Sequence, residues 1–224
     1  MPSARSRAEL DARVTSDQLS DSLDALGVRG QVMTGDIGAL QRPARIAGPA
    51  RTIRFEPITT SVEAAYRTAD PYRPFIEFMD GVQPGEVIVV STGGDRRTAY
   101  WGELFSAAAL GRGAVGVVCD SYTRDRPKVE ALGFPVFSAG TRPLDYRARM
   151  QIVAAQLPVR CGDVDVAPGD LVLADTDGIV VVPDGVHEPA VSRANQRAGT
   201  ESSVLDQLLA GRSIGEVWTT YGVL

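Results

Sequence analysis

Histidine and lysine are almost absent from this chain, and each occurs once in its 224 residues. The single histidine, His187, lies in a turn-like stretch at 183–189, which argues against a multi-histidine zinc site and against a Ser-His-Asp triad. The single lysine is Lys128, so an enzyme that forms a Schiff base would have to use it. A bound metal would therefore have oxygen ligands, and metal-dependent chemistry is the default expectation.

Cysteines, long apolar runs and clustered positive charges are also scarce. Cys119 and Cys161 are far apart and form no CxxC pair, which predicts buried thiols rather than a disulfide. The start of the chain has no apolar signal segment, and no apolar run approaches the length of a membrane span, so we expect a cytoplasmic protein that binds no membrane. The net charge of −5, with scattered arginines and no basic stripe, predicts no nucleic-acid partner.

Length and composition favour one compact α/β domain over residues 1–224, with 1–14 as a flexible tail, because 44% of the residues are hydrophobic. A helix is predicted to begin at 15–17 and to end at Gly27. Helical periodicity returns at 188–210 and 214–221, which predicts two C-terminal helices.

The middle of the chain is predicted to alternate strands and helices. A flexible connection at 35–43 leads to a β-rich stretch at 45–57. A helical pair follows at 61–82, interrupted at 70–71 and at Pro74. A short helix starts near Pro127 and ends at Gly133, and a strand resumes at 134–137. Residues 157–182 read as short strands with turns at 162–163, 168–169 and 177–178.

A strand-helix-strand unit in the centre carries the candidate site. A strand at 86–91 ends in a Thr-Gly-Gly-Asp loop at 92–95, Gly102 opens a helix at 103–110, and a second strand at 114–119 leads to a loop at 121–125. Ligands of α/β folds gather outside the carboxyl ends of strands. This order therefore places four charged residues on one rim and aims the free N–H groups of the helix start at an anion. The four residues are Glu103, Asp120, Arg124 and Asp125.

Several segments, in order and spacing, resemble the RraA-like family. The central segments are WGELFSAAALGRGAVGVVCDSYTRD at 101–125 and ALGFPVFSAG at 131–140. They are accompanied by DALGV at 24–28, RIAGPARTIR at 45–54, PGEVIVV at 84–90, PGDLVLADTDGIVVVP at 168–183 and LLAGRSIGEVWTTYGVL at the end. This family contains divalent-metal-dependent 4-hydroxy-4-methyl-2-oxoglutarate and 4-carboxy-4-hydroxy-2-oxoadipate aldolases, together with regulators of RNase E activity. The resemblance implies a β/β/α swivelling domain that assembles into homotrimers or homohexamers.

The resemblance also implies roles for individual residues. The residue that matches Asp125 ligates Mg²⁺ or Mn²⁺, the one that matches Glu103 contacts the metal through water, and the arginine that matches Arg124 binds the pyruvyl part of the substrate. Arginine suits that role because its planar fork binds a carboxylate in two places. Glu201 matches a glutamate that reaches the site of a neighbouring subunit, although an exposed helical glutamate is the simpler interpretation from sequence alone.

Simpler structural interpretations compete with these roles. Arg124 and Asp125 could be only a surface ion pair, and Glu103 only a glutamate in favourable contact with the helix dipole. Asp175 and Asp177 could ligate a metal, but a tight turn between two strands accounts for them better.

The sequence does not determine which aromatic residues shape the pocket. Tyr100 and Trp101 either line a pocket or anchor the helix. Three features depart from the family pattern: Lys128 in place of an acidic residue, Ser-Tyr-Thr at 121–123, and Ser-Thr-Gly-Gly at 91–94. Tyr122 could narrow the pocket or hydrogen-bond to the substrate.

The sequence thus predicts a class II metal-dependent aldolase that cleaves a 4-hydroxy-2-oxo acid and releases pyruvate. The energetic problem is the pyruvate enolate, which a cation, Arg124 and the N–H groups near Gly102 and Leu104 would stabilise. Oxaloacetate decarboxylation passes through the same enolate and is an expected side activity. The alternative is a non-catalytic regulator that binds a ribonuclease or another protein.

Overall fold

A computed structural model of the protein describes residues 8–34, 36–41, 44–67 and 72–223. The helices are α1 (Ser16–Ala25), α2 (Val62–Tyr66), α3 (Arg73–Asp80), α4 (Glu103–Gly111), α5 (Arg126–Leu132), α6 (His187–Leu209) and α7 (Ile214–Tyr221). The strands are β1 (Gly38–Ala39), β2 (Ile46–Pro57), β3 (Val87–Ser91), β4 (Ala99–Trp101), β5 (Gly116–Cys119), β6 (Tyr122–Thr123), β7 (Val136–Ser138), β8 (Met150–Ala155), β9 (Val159–Cys161), β10 (Val164–Val166), β11 (Leu171–Ala174) and β12 (Ile179–Val182).

The chain divides into two compact units, which are described separately. The helical unit contains α1, α6 and α7, and the sheet unit contains the other elements, within residues 30–184. The single domain over residues 1–224 stays a prediction. The α/β class and the C-terminal helices are confirmed. No helix in the described part of the chain is both long and apolar enough to cross a membrane.

In the helical unit, α1 packs against α6. The predicted start of α1 is confirmed: Gln18 Oε1 accepts a hydrogen bond from the backbone N–H of Thr15 at 3.2 Å, which satisfies one of the free donors at the helix start. Leu19 and Leu23, four residues apart, are both buried, as the helical period requires.

Two segments of the helical unit differ from the sequence predictions: the tail expected to be flexible and the stretch around His187. Residues 1–7 of the predicted flexible tail lie outside the described residues, but Asp11 N donates to Asn195 Oδ1 of α6 at 2.9 Å and Asn195 Nδ2 donates to Glu9 O at 2.9 Å. The turn predicted around His187 needs correction, because α6 begins at this residue and its side chain is buried.

The sheet unit is organised around the long strand β2. The sheet runs in the order β1-β7-β5-β3-β2-β11-β12, and β8 pairs with the end of β2. β2, β3, β5 and β7 are parallel neighbours, whereas β11 pairs with β2 in antiparallel orientation. β9 and β10 form an antiparallel hairpin, and β4 and β6 form a short parallel pair.

Two hydrophobic clusters cover the two faces of this sheet. Alternate residues of β3 belong to different clusters: Ile88 and Val90 join the aromatic cluster with Phe75, whereas Val87 and Val89 join the other. A parallel strand buried on both faces is expected to be mostly apolar, and β3 is apolar from Val87 to Val90. Cys119 and Cys161 are buried and free, which confirms the prediction of buried thiols.

Several predicted boundaries need correction. Pro74 lies in the first turn of α3 and does not interrupt it, because the first helical positions require no N–H donor. The other predicted interruption, at 70–71, lies outside the described residues. Short strands also escaped prediction: β4, β6 and β8 were missed, and β1 lies inside the connection that was expected to be flexible. The turn between β11 and β12 is confirmed, since Asp175 Oδ1 accepts the N–H of Asp177 at 3.0 Å.

Candidate active site

A cavity of about 440 Å³, here called the α4 cavity, opens beside the start of helix α4. Its walls come from α3, β4, the first turn of α4, the loop before α5 and the loop before β8. Its lining residues are Tyr72, Ile76, Ala99, Tyr100, Trp101, Gly102, Glu103, Leu104, Phe105, Arg124, Asp125, Lys128, Asp145 and Tyr146.

The backbone of β4 positions the Arg-Asp pair. The carbonyl of Trp101 accepts hydrogen bonds from Arg124 N at 2.9 Å and from Thr123 Oγ1 at 3.0 Å, which fixes residues 124 and 125 beside the α4 start. Gly102 makes this approach possible. A Cβ atom at this position would lie 2.8 Å from Asp125 Oδ2, closer than real Cβ atoms approach, and 3.2 Å from Arg124 Cγ, which is a tight contact.

Asp125 occupies an unusual backbone conformation. It stands immediately before α5 with φ 60° and ψ 29°, in the left-handed region that disfavours most side chains but that Asp and Asn tolerate. Its Oδ2 atom accepts a long hydrogen bond, 3.4 Å, from Glu103 N and lies 3.7 Å from Arg124 Nε. The side chain is 39% exposed, so the carboxylate remains accessible beside the helix start.

Arg124 is held from its other side by a residue that the sequence did not reveal. Its Nη1 atom lies 3.3 Å from Asp145 Oδ2, and the hydroxyl of Tyr72 donates to the same oxygen at 2.6 Å. Burial, followed by the hydrogen bond to Asp145, raises the pKa of Tyr72 to about 12, so the hydroxyl keeps its proton at neutral pH. Neither residue belongs to a recognisable spacing pattern, and only the fold brings them to Arg124.

Lys128 forms an ion pair with Glu103, and the two side chains meet at 2.9 Å from Nζ to Oε2. The hydrogen bond and the negative charge of Glu103 both raise the pKa of Lys128. The amine therefore stays protonated at neutral pH, and a protonated amine cannot attack a carbonyl carbon. In this ion pair, the positive charge of Lys128 compensates the negative charge of Glu103 at Oε2.

Tyr100 and Trp101 play both roles that the sequence left open. Both line the α4 cavity and both are buried in the aromatic cluster. Trp101 Nε1 donates to Ser106 Oγ at 2.8 Å, and Ser106 Oγ donates to the carbonyl of Gly102 at 2.9 Å, which ties β4 to the first turn of α4. The Tyr100 hydroxyl donates to Asp95 at 2.9 Å.

Two other candidate residues of the sheet unit, Asp120 and Tyr122, are not among the residues that line the α4 cavity. Asp120 is buried and accepts hydrogen bonds from Thr92 N at 2.8 Å and Thr92 Oγ1 at 2.6 Å, so it holds the loop after β3. The ring of Tyr122 lies near two guanidinium groups, with its centroid 5.9 Å from Arg96 Cζ and 5.6 Å from Arg142 Cζ. Sequence reasoning located the strand ends correctly but not the direction of these side chains.

Glu201 belongs to the helical unit. On α6 it accepts a hydrogen bond from Arg197 Nε at 2.6 Å and contacts Gln18 Nε2 of α1. Its role in the site of a neighbouring subunit stays a prediction, as does the trimer or hexamer on which that role depends.

The donor atoms fit a hard cation that keeps most of its water. Among the described residues, no three His, Cys, Asp or Glu side chains cluster as a metal cage. Mg²⁺ does not need such a cage, because it is usually bound by one or two carboxylates with water and substrate in the other positions. The half-exposed carboxylate of Asp125, with one long hydrogen bond, can provide that ligand, and Glu103 can act through water.

Residues 16–181 match the model of the RraA-like family, described as Aldolase/RraA, and the chain belongs to this family. It is 30% identical over 217 residues to a protein of Halalkalibacterium halodurans named "Putative 4-hydroxy-4-methyl-2-oxoglutarate aldolase", covering 93% of this chain and 95% of that protein. The solved structure of Streptomyces coelicolor RraAS2, described as an unusual member of the RNase ES inhibitor RraA protein family, has a TM-score of 0.73 and 31% identity, covering 89% and 93% of the two chains.

A longer relative extends the comparison. Protein DlpA of Legionella pneumophila is 27% identical over 206 residues, which are 92% of this chain but only 32% of that protein. The chain therefore spans about a third of the length of this relative. The RraA-like resemblance and fold expected from the sequence are confirmed.

Proposed function

We propose that the protein is a divalent-metal-dependent pyruvate aldolase that cleaves a 4-hydroxy-2-oxo acid into pyruvate and a carbonyl product. The observation that carries this proposal is the placement of the Arg124 guanidinium and the Asp125 carboxylate, side by side, at the start of α4 in one cavity. A surface ion pair would not require the close approach to Gly102, the left-handed backbone of Asp125 or the support of Asp145.

In this reaction the C4 hydroxyl loses its proton, the C3–C4 bond breaks, and its electrons pass to the enolate of pyruvate, which is then protonated at C3. Asp125, and Glu103 through water, would hold Mg²⁺ or Mn²⁺, and such an ion would supply positive charge next to the enolate. Arg124 binds the carboxylate of the pyruvyl group in two places. Asp145 Oδ2 lies 3.3 Å from Arg124 Nη1 and helps to orient the guanidinium.

We assign to Glu103 a role in removing the proton from the C4 hydroxyl. Its carboxylate would orient a water molecule that accepts this proton, and its ion pair with Lys128 holds it in place. The N–H groups at the start of α4, near Gly102 and Leu104, face the developing negative charge. Lys128 itself forms no covalent bond in this scheme. Oxaloacetate decarboxylation, which produces the same enolate, would be a side activity.

The test is pyruvate release from a panel of 4-hydroxy-2-oxo acids and oxaloacetate, with Mg²⁺ or Mn²⁺ and after exhaustive chelation. We expect release that is lost with EDTA and restored by either metal. Full activity in the chelated protein would contradict the metal route. No release from any member of the panel would favour the other candidate, a regulator that binds a ribonuclease, for which the similarity to RraAS2 is the supporting observation.

A further inference from the structure

We infer that Lys128 determines substrate specificity at C4, where its ammonium group binds a carboxylate, so that the preferred substrate is a dicarboxylate and the carbonyl product is a second 2-oxo acid. This inference rests on the proposed function, because it takes Arg124 as the partner of the pyruvyl carboxylate and Glu103 as the residue that acts at the C4 hydroxyl. It gives the single lysine of the chain a contact with the substrate, beyond its ion pair with Glu103.

The place of Lys128 beside Glu103 carries the inference. Both residues line the α4 cavity, and Lys128 Nζ lies 2.9 Å from Glu103 Oε2. The side chain of Lys128 is 66% exposed, so its ammonium group is open to a ligand. Because Glu103 acts at the C4 hydroxyl in the proposed function, the ammonium group next to it lies close to the other substituents of C4.

Lys128 also has donors that a ligand can use. An ammonium group carries three N–H donors. Among the described residues, Glu103 is the only one that accepts a hydrogen bond from Lys128 Nζ, which leaves two donors for the oxygens of a substrate. A C4 carboxylate bound there would lie near the carboxylate of Glu103, and the shared ammonium group would offset the repulsion between the two negative charges.

The position of Lys128 in α5 is unfavourable for the helix itself. Lys128 lies in the first turn of α5, and its backbone N–H donates to Asp125 O at 2.9 Å. The N-terminus of a helix carries a partial positive charge, so an acidic side chain is favoured in this turn and a lysine is disfavoured. The positive charge at position 128 is therefore explained by the negative groups that it faces, Glu103 in the free protein and a substrate carboxylate in the complex.

The first experiment compares two substrates that differ only at C4, with Mn²⁺ present. 4-Hydroxy-2-oxoglutarate has a carboxylate there and yields pyruvate and glyoxylate, whereas 4-hydroxy-2-oxopentanoate has a methyl group and yields pyruvate and acetaldehyde. Both share the pyruvyl end, on which the proposed function places Arg124 and the divalent cation, so the ratio of their kcat/KM values reports recognition at C4. We expect the wild-type protein to favour the dicarboxylate by about tenfold or more, because only this substrate gains a charge-assisted hydrogen bond at C4. An equal or lower kcat/KM for the dicarboxylate overturns the inference.

Variants at position 128 test the residue itself. Lys128→Met and Lys128→Gln remove the charge and should lower the preference for the dicarboxylate by about tenfold or more, because Glu103 would then repel it. Lys128→Arg keeps the charge and should retain the preference. A lysine that only held Glu103 in place would affect both substrates equally and leave their ratio unchanged. Groups contributed by another subunit are common to all these proteins, so a change in the ratio reports on position 128.

Arg126→Met is the matched control. It removes a cation from the same turn of α5, but Arg126 lies outside the lining of the α4 cavity and forms an ion pair with Glu130 at 2.8 Å. The preference for the dicarboxylate should therefore stay at the wild-type value. A wild-type preference in either neutral variant at position 128, or an equal loss of preference in Arg126→Met, overturns the assignment of Lys128 to the C4 carboxylate.

A further readout separates this inference from the proposed function. Exchange of the methyl protons of pyruvate in D₂O, followed by NMR on the wild-type protein, reports enolate formation and does not involve a C4 substituent. Metal-dependent exchange without a preference for the dicarboxylate overturns the inference alone. Absence of exchange together with absence of cleavage of both substrates overturns the proposed function, and the inference with it.

Discussion

Asp125 Oδ2 lies 2.8 Å from the point where a Cβ atom on Gly102 would stand. The absence of a side chain at Gly102 therefore determines where the proposed metal ligand can sit. The φ angle of Gly102 is −174°, an extended conformation open to any residue, so the requirement for glycine comes from the close approach alone.

Gly102→Ala should displace the Asp125 carboxylate. We expect a loss of about 1–3 kcal/mol in stability from the steric conflict and a clear decrease in Mn²⁺ affinity, measured by thermal unfolding and by titration calorimetry. Gly111→Ala in the same helix meets no atom within 4 Å and is the control; it should raise stability by about 1 kcal/mol or less and leave Mn²⁺ affinity unchanged. Equal effects of the two substitutions would contradict this account of the site.

Lys128 should form no covalent adduct. Because Glu103 raises the pKa of this amine, borohydride reduction in the presence of pyruvate should leave the mass of the protein unchanged. Lys128→Arg, which preserves the positive charge next to Glu103, should retain substantial activity. An adduct that mapped to Lys128 by peptide mass spectrometry would replace the metal mechanism with a Schiff-base mechanism.

Two stacked tyrosines should respond differently to loss of their hydroxyl groups. Tyr100 and Tyr146 have parallel rings with centroids 5.8 Å apart. The Tyr100 hydroxyl donates to Asp95, whereas the buried Tyr146 hydroxyl has no hydrogen-bond partner among the described residues. Tyr100→Phe should cost about 1.5–3 kcal/mol, and Tyr146→Phe should be neutral or stabilising by about 1 kcal/mol. Thermal unfolding of both variants provides the comparison, and a larger loss for Tyr146→Phe would be inconsistent with it.

Asp95 should contribute to acid sensitivity. Partial burial alone would raise the pKa of Asp95, but hydrogen bonds from Arg97, Thr98 and Tyr100 outweigh burial and lower the pKa. A carboxyl group whose pKa is depressed by folding stabilises the protein above the unfolded pKa, near 3.9, and that contribution is lost as the pH falls through the folded pKa. Stability lost between pH 7 and pH 3 should therefore be smaller in Asp95→Asn than in the wild type.

The control for this experiment is Asp80→Asn. Asp80 is exposed and forms a surface ion pair with Arg112 at 2.7 Å, so its loss should change stability by about 0–1 kcal/mol. If Asp80→Asn flattened the pH profile as much as Asp95→Asn, the hydrogen-bonded position of Asp95 would not be the cause.

The sequence predicted the main elements of the fold because their signals are local. The N-terminus of α1, the glycine after α5 and the Asp-Gly turn between β11 and β12 all depend on neighbouring residues. β4 and β6 contain three and two residues, which is too short for a two-residue period to be recognised. The burial of His187 depends on where α6 begins. The turn-like residues around His187 hid that helix start in the sequence.

The site could be predicted only in part. The order and spacing of Glu103, Arg124 and Asp125 placed them on one strand-helix-strand unit, and the structure brings all three to one cavity. Asp145 and Tyr72 come from distant loops, so no spacing relates them to Arg124. Tyr122 follows β5 as expected but turns towards Arg96 and Arg142, because the short β4–β6 pairing determines the side to which it points.

Deuterium exchange of the pyruvate methyl protons tests the central claim most directly, in wild type, Asp125→Asn and Arg124→Lys, with Mn²⁺ affinity measured in parallel. Asparagine tolerates the left-handed backbone at position 125, so Asp125→Asn should fold normally while it loses Mn²⁺ affinity and exchange. Arg124→Lys should retain Mn²⁺ affinity but exchange at least tenfold more slowly, because lysine lacks the bidentate fork. Wild-type exchange rates in both folded variants would contradict the proposed site.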